Sequence, residues 1–213
     1  MSSTFLKKKV EKNKKKNLRS QVNRGLEIPR VYKKDMGKFL TRYDLIYEIQ
    51  EGTLKTYEIV SRNNNIENID DLSRAKVDAV VMIMHDESNE KILLCREFRM
   101  SLGEYIYSFP SGLIENNESA IECAMRELKE ETGLVIETIQ KLFPESFSAV
   151  GICNEKSICI IGKARGIIES NISGAERICP KWYTKKEVKE ILQSGCISAR
   201  TQMYCYMWLR KDM

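Results

Sequence analysis

GLIENNESAIECAMRELKEETGL, residues 112–134, decides the reading of this chain, because it is strongly periodic and carries an unusual set of charges. At about 100° per residue, Ile121, Ala124, Met125 and Leu128 share one stripe of a helix and are expected to face the core. Glu127, Glu130 and Glu131 gather on another face. Carboxylates at these spacings repel, by roughly 0.2–0.5 kcal/mol per pair. A hard divalent cation offsets that repulsion: Mg²⁺ accepts oxygen ligands from adjacent turns and takes the rest from water and substrate phosphates. The cluster therefore predicts a metal site for phosphate chemistry. Ser119 and Glu122 have the spacing of a capping box, and Gly133 stands where a left-handed C-cap is wanted. Arg126 lies four residues from both Glu122 and Glu130, on the side of Glu118, and is assigned to holding carboxylates in place. The alternative is a solvated acidic face, the ordinary fate of a glutamate-rich helix.

Working outward, Glu104 to Phe109 reads as a short strand that leads through a Pro110-Ser111-Gly112 loop into the helix. Before it, AKVDAVVMIMH (75–85) and KILLCR (91–96), joined by the polar turn 87–90, form an expected core hairpin. Earlier still, 43–50 and 55–60 alternate about a Glu51-Gly52-Thr53 turn and predict a small antiparallel β unit. After the helix, 135–142 and 157–164 read as strands, the second preceded by a polar loop over 151–156. The segment 184–193 is an amphipathic helix with Thr184 as N-cap and Gly195 as stop, and 198–210 is a second helix. The organisation expected is a basic extension over 1–37, a β unit over 38–72, and a main domain over 73–213.

The segment 112–134 has glycine, five residues, glutamate, seven residues, then Arg-Glu-aliphatic-x-Glu-Glu-x-Gly-aliphatic. At every specified position it resembles the signature of the Nudix hydrolases. The resemblance implies an α/β fold, the Nudix α/β/α sandwich with a mixed sheet. It also implies metal ligands at Glu127 and Glu131 with Glu130 assisting, and anchoring roles for Gly112, Glu118, Arg126 and Gly133. Outside that box, TYEIVSR, REFRMS and YIYSFPSGLIE resemble the ADP-ribose pyrophosphatase branch. That likeness makes the Ser111 carbonyl a further metal ligand, Arg99 a substrate contact with Arg96 second to it, and Glu155, in SAVGICNEKSICI, the general base or an added metal ligand. Val150 departs from the branch, which often has proline there. The activity implied is Mg²⁺-dependent hydrolysis of a nucleoside diphosphate derivative, ADP-ribose being the favoured substrate, with Mn²⁺ the alternative cation. The rivals are a Nudix hydrolase of a nucleotide sugar, dinucleotide, oxidised nucleotide or capped RNA, and a non-catalytic ADP-ribose-binding module. The intact glutamate set argues against the last.

Across its 213 residues the chain is 42% hydrophobic and 31% charged, a soluble composition long enough to bury a core without staples. Its seven cysteines form no CxxC pair and read as reduced thiols, which places the protein in the cytoplasm. The net charge of +5 is concentrated in MSSTFLKKKVEKNKKK, which has no apolar run and reads as neither signal peptide nor anchor. No membrane partner is expected. Nucleic acid is not expected either, and the lysine tail is the one place it could bind. A homodimer is expected, from the likeness of the β unit to the subunit-exchanging part of the branch. The single histidine, His85, reads as a turn residue, and Trp182, Tyr183, Tyr204, Tyr206 and Trp208 as core or interface.

Overall fold

The computed structural model describes residues 30–49, 52–73, 75–169 and 177–210, and the lysine-rich tail lies outside them. The chain forms two compact units, one of residues 1–75 with 148–155, the other of 76–147 with 156–213.

Within the first unit, β1 (Arg30–Met36), β2 (Thr41–Glu48) and β3 (Leu54–Ser61) form an antiparallel sheet in that order, followed by the short helix α1 (Ile69–Ser73). The expected hairpin is present, with Thr41 opposite Ser61 and Glu48 opposite Leu54. Strand β1, which lies inside the segment read as an extension over 1–37, was not read as a strand. Its sequence, RVYKKDM, is too charged to show alternation, and it forms because β2 offers an edge. The core of this unit is Tyr43, Leu45, Ile59, Ile66 and Leu72. The fully buried Tyr43 donates its hydroxyl to the Asn63 carbonyl at 2.9 Å and accepts from the Ile66 N–H at 3.3 Å. A buried polar tip is thereby satisfied, and the turn after β3 is held.

The second unit contains β4 (Ala79–His85), β5 (Lys91–Arg99), β6 (Glu104–Ser108), β7 (Ser111–Leu113), α2 (Ala120–Thr132), β8 (Val135–Leu142) and β9 (Ser146–Phe147). It continues with β10 (Lys156–Arg165), β11 (Ile178–Thr184), α3 (Lys185–Ser194) and α4 (Ala199–Leu209). One mixed sheet runs β11-β5-β4-β10-β8, its β4–β10 pair parallel. Side chains alternate across β4: Val80, Met82 and Met84 pack with Cys123, Ala124 and Leu128 of α2, while Val81 and Ile83 pack with Val188 and Ile191 of α3 and Cys205 and Trp208 of α4. A strand apolar on both faces thus sits between helical layers, the expected α/β/α sandwich.

Four features differ from the sequence reading. Strands β4 and β5 pair only at His85 with Ile92 and then splay. The opening admits β7, whose Ser111 lies opposite Val81, and Met82 donates to the Pro110 carbonyl at 2.9 Å. The expected loop at Ser111-Gly112 is therefore a strand. Strand β11 was not expected because Pro180 and two lysine-flanked positions break its alternation; Pro180 is accommodated because β11 is an edge strand. His85, read as a turn residue at a strand end, is the last residue of β4 and is buried, with Nε2 2.9 Å from the Tyr204 hydroxyl.

Candidate active site

Helix α2 is fixed at both ends as its sequence dictates. The Ser119 hydroxyl accepts from the Glu122 N–H while Glu122 accepts from the Ser119 N–H, and Gly133 closes the helix with φ 76°. The buried stripe differs from the periodicity reading. Cys123, Ala124, Leu128 and Thr132 are buried, whereas Ile121 is 40% and Met125 55% exposed. Hydropathy favours Ile and Met over Cys and Thr, but a free cysteine packs as a small hydrophobe. Thr132 loses its polar cost by donating to the Leu128 carbonyl at 2.6 Å and accepting from the Leu134 N–H at 3.1 Å. The helix is thus rotated from the expected setting. Glu127 and Glu131 fall inside the inward arc, half-buried, and Glu130 stays outside it, exposed.

This rotation lays the acidic side chains along β7, residue by residue. The Ser111 N–H donates to Glu131 Oε2 at 3.3 Å. Gly112 leaves room for Glu127: a Cβ there would overlap the Glu127 Cγ, Cδ and Oε1, although the backbone of Gly112 is not in the left-handed region. The Leu113 carbonyl accepts from Arg126 Nη2 at 3.0 Å and from the Cys123 thiol at 3.4 Å. Burial pushes that thiol up to about 12, so Cys123 acts as a packed donor and not a nucleophile.

Arg126 organises the rest. It forms a fork with Glu118 through Nε and Nη2, both at 2.9 Å, and donates from Nη1 to Glu127 at 2.8 Å and Glu130 at 3.2 Å. Glu122, four residues away, is used by the cap instead. The hydrogen bonds from Arg126, with one from the Glu115 N–H, hold the Glu118 carboxyl down at about 2. In return, chiefly Glu118 and then Glu127 hold the guanidinium above its ordinary value. The Glu127 carboxyl moves up: burial raises it, Arg126 opposes the rise, and the charges of Glu130 and Glu118 add to it. A half-buried carboxylate crowded by two others is one that a cation would stabilise.

Among the described residues, no three acidic, histidine or cysteine side chains converge into a closed metal cage. The donors nevertheless fit a hard ion. They are all oxygens, presented by consecutive turns beside a glycine cradle, and Mg²⁺ is held by one or two carboxylates plus water and phosphate, without a full protein cage.

The other residues singled out from sequence lie elsewhere. Arg99, at the end of β5, is paired with Glu97 at 2.9 Å, and the guanidinium of Arg96 stacks 4.7 Å from the ring centre of Tyr105. Glu97 was not expected. Its carboxylate and that of Glu131 both act on the buried Cys95 thiol, which burial first and these charges second push well up. The signal lay in the alternation of REFR along β5, which sets Glu97 and Arg99 on one side of the strand. Glu155 belongs to the first unit, where its carboxylate accepts from Arg62 Nε at 3.2 Å.

Comparison with known proteins agrees with this geometry. The family model of the NUDIX domain matches residues 75–197, more than half of the chain. The chain therefore belongs to the Nudix hydrolase family. It is 31% identical over 97 residues to an ADP-sugar pyrophosphatase of Mus musculus, covering 46% of this chain and 43% of that one. It is 31% identical over 118 residues to an NAD-capped RNA hydrolase of Caenorhabditis elegans, covering 53% and 29%. An uncharacterised Nudix hydrolase of Schizosaccharomyces pombe is 28% identical over 117 residues, covering 54% and 53%. The chain thus spans about half or less of the length of these relatives. Among solved structures, an ADP compounds hydrolase superposes with a TM-score of 0.66 at 18% identity, covering 88% of this chain and 94% of that one, which shows a shared fold.

Proposed function

We propose that this protein hydrolyses the diphosphate linkage of a nucleoside diphosphate derivative with Mg²⁺, and that ADP-ribose is its substrate, giving AMP and ribose 5-phosphate. The observation that carries the reading is the alignment of Glu131, Glu127 and Arg126 along Ser111, Gly112 and Leu113. Such a cluster has little structural reason to exist without a cation, since the half-buried Glu127 is pushed toward neutrality. Glu127, Glu131, Glu130 and the Ser111 carbonyl would hold the ion, with Mn²⁺ as the alternative. When bound, the ion neutralises charge on the phosphates and lowers the pKa of water. The chain's own residues do the rest. Arg126 fixes the carboxylates, Arg99 and, second to it, Arg96 bind phosphate or terminal ribose, and Glu155 accepts the proton of the attacking water. The names of the mouse and structural relatives support an ADP-linked substrate.

The same reading takes the protein as a cytoplasmic homodimer that associates through its N-terminal sheet. Tyr32, Met36, Phe39 and Leu40 are exposed there, an apolar group that a second copy would cover. Light scattering on the purified chain tests this. The substrate is tested by phosphate-coupled hydrolysis of ADP-ribose, UDP-glucose, NADH, diadenosine polyphosphates, 8-oxo-dGTP and NAD-capped RNA. Preference for ADP-ribose, lost in Glu131→Gln, is expected. Preference for capped RNA, with a salt-dependent rise in KM on deleting the lysine tail, would replace the substrate. No Mg²⁺-dependent turnover of any diphosphate would replace catalysis with binding.

A further inference from the structure

The loop that carries Glu155 is built onto the N-terminal sheet. Val60 donates its N–H to the Ile152 carbonyl at 2.9 Å and forms a parallel bridge with Cys153. The Tyr57 hydroxyl donates to the Gly151 carbonyl at 2.9 Å, and Asn154 Nδ2 donates to the Leu72 carbonyl at 3.4 Å. The loop closes on itself where Ser148 donates to the Glu155 carbonyl at 2.9 Å. Ile152 and Cys153 also donate to the Ala149 carbonyl at 3.0 Å, so the loop is held both by its own turn and by β3 and α1. At the end of this series Arg62 Nε donates to the Glu155 carboxylate at 3.2 Å.

From this geometry we infer that Arg62 is a positioning residue for Glu155: it fixes the carboxylate that receives the proton. Arg62 follows directly on β3, and its backbone is constrained from both sides. Ser61 is buried with its hydroxyl accepting from the Asn63 N–H at 3.1 Å, and Tyr43 holds the Asn63 carbonyl. The guanidinium therefore extends from a fixed base.

The manner of the contact fits this role. Arg62 reaches Glu155 through Nε to a single oxygen, whereas Arg126 grips both oxygens of Glu118. A two-oxygen fork is a structural tie. A one-oxygen contact sets the direction of a carboxylate and leaves it lone pairs with which to accept a proton, since an ionised carboxylate has about four such sites.

The inference rests on Glu155 being the base, and the test separates the two. Kinetics of ADP-ribose hydrolysis with Mg²⁺ are measured for the full chain, Arg62→Gln, Arg62→Lys, Glu155→Gln and the Arg62→Gln/Glu155→Gln double variant, with melting curves for each. Misplacement of a reacting group by about 1 Å costs on the order of 100-fold, so Arg62→Gln is expected to lower kcat about 10- to 100-fold with KM within about twofold. Arg62→Lys should restore part of the loss, and the double variant should be no slower than Glu155→Gln alone. Multiplying losses in the double variant, a change confined to KM, unchanged kcat in Arg62→Gln, or failure of both Arg62 variants to fold would each overturn the inference. Wild-type turnover by Glu155→Gln would overturn the base assignment, and the inference with it. A slow Glu155→Gln beside a normal Arg62→Gln would overturn the inference alone.

Discussion

Replacing Gly112 with alanine adds one carbon atom where the structure has the Glu127 carboxylate. The new Cβ would coincide with three atoms of that side chain, and Gly112 has no left-handed φ, so space alone is at stake. Because β7 is paired to β4 through Ser111, Gly112 and Leu113, the backbone cannot retreat, and Glu127 must move on the order of an ångström or more. Overpacking of this kind costs about 1–3 kcal/mol. For a chain of this size each kcal/mol lowers Tm by roughly 2–4 °C, so a drop of roughly 2–12 °C is expected. Activity should suffer more, because a displacement of about 1 Å at a reacting centre costs about 100-fold. The assay is Mg²⁺-titrated ADP-ribose hydrolysis beside a melting curve, with Gly133→Ala as control. That glycine has φ 76°, caps α2 and has Glu169 Cβ 2.9 Å from where a Cβ would stand, so alanine there should lose at least about 1 kcal/mol without changing the Mg²⁺ dependence of the folded fraction. Gly112→Ala with wild-type kcat and wild-type Mg²⁺ half-saturation would refute the cradle argument.

The Glu118 carboxyl, held at about 2 against an ordinary 4.5, stabilises the fold fully above pH 4.5, and that contribution disappears as pH falls through 2. Glu118→Gln should therefore lower Tm at neutral pH and flatten its fall in acid, as scanning calorimetry across pH would show. Met125→Glu and Ile121→Glu should stay within about 0.5 kcal/mol of wild type, while Leu128→Ala costs about 2–5 kcal/mol in urea unfolding; equal costs would restore the stripe drawn from hydropathy. EDTA should abolish turnover, with Mg²⁺ restoring it and the melting temperature rising as the ion is added, by the ordinary linkage of binding to folding. A Tm indifferent to Mg²⁺ at millimolar concentration would argue against an ion held by Glu127 and Glu131.

Sequence alone determined the parts of this protein that depend on local chemistry. Capping groups act within one turn, so Ser119, Thr184, Gly133 and Gly195 marked the ends of α2 and α3 where the structure has them. The spacing of Arg126, Glu127, Glu130 and Glu131 named the family, because side chains on successive helical turns meet without help from the rest of the fold. Strands with clear alternation or apolar runs, β2 to β5, β8 and β10, were legible for the same reason.

Tertiary structure decided what depends on distant partners. Strands β1 and β11 carry too many lysines, or a proline, to read as strands, and exist because a neighbouring edge supplies their hydrogen bonds. The splay of β4 from β5 follows from competition by β7 and β6 for the same edges, which no single segment records. The setting of α2 was fixed by β7: Glu131 meeting the Ser111 N–H and Glu127 filling the space at Gly112 outweigh burial of Ile121 and Met125. Arg62 and Glu155 stand 93 residues apart, and only folding brings their charges to 3.2 Å.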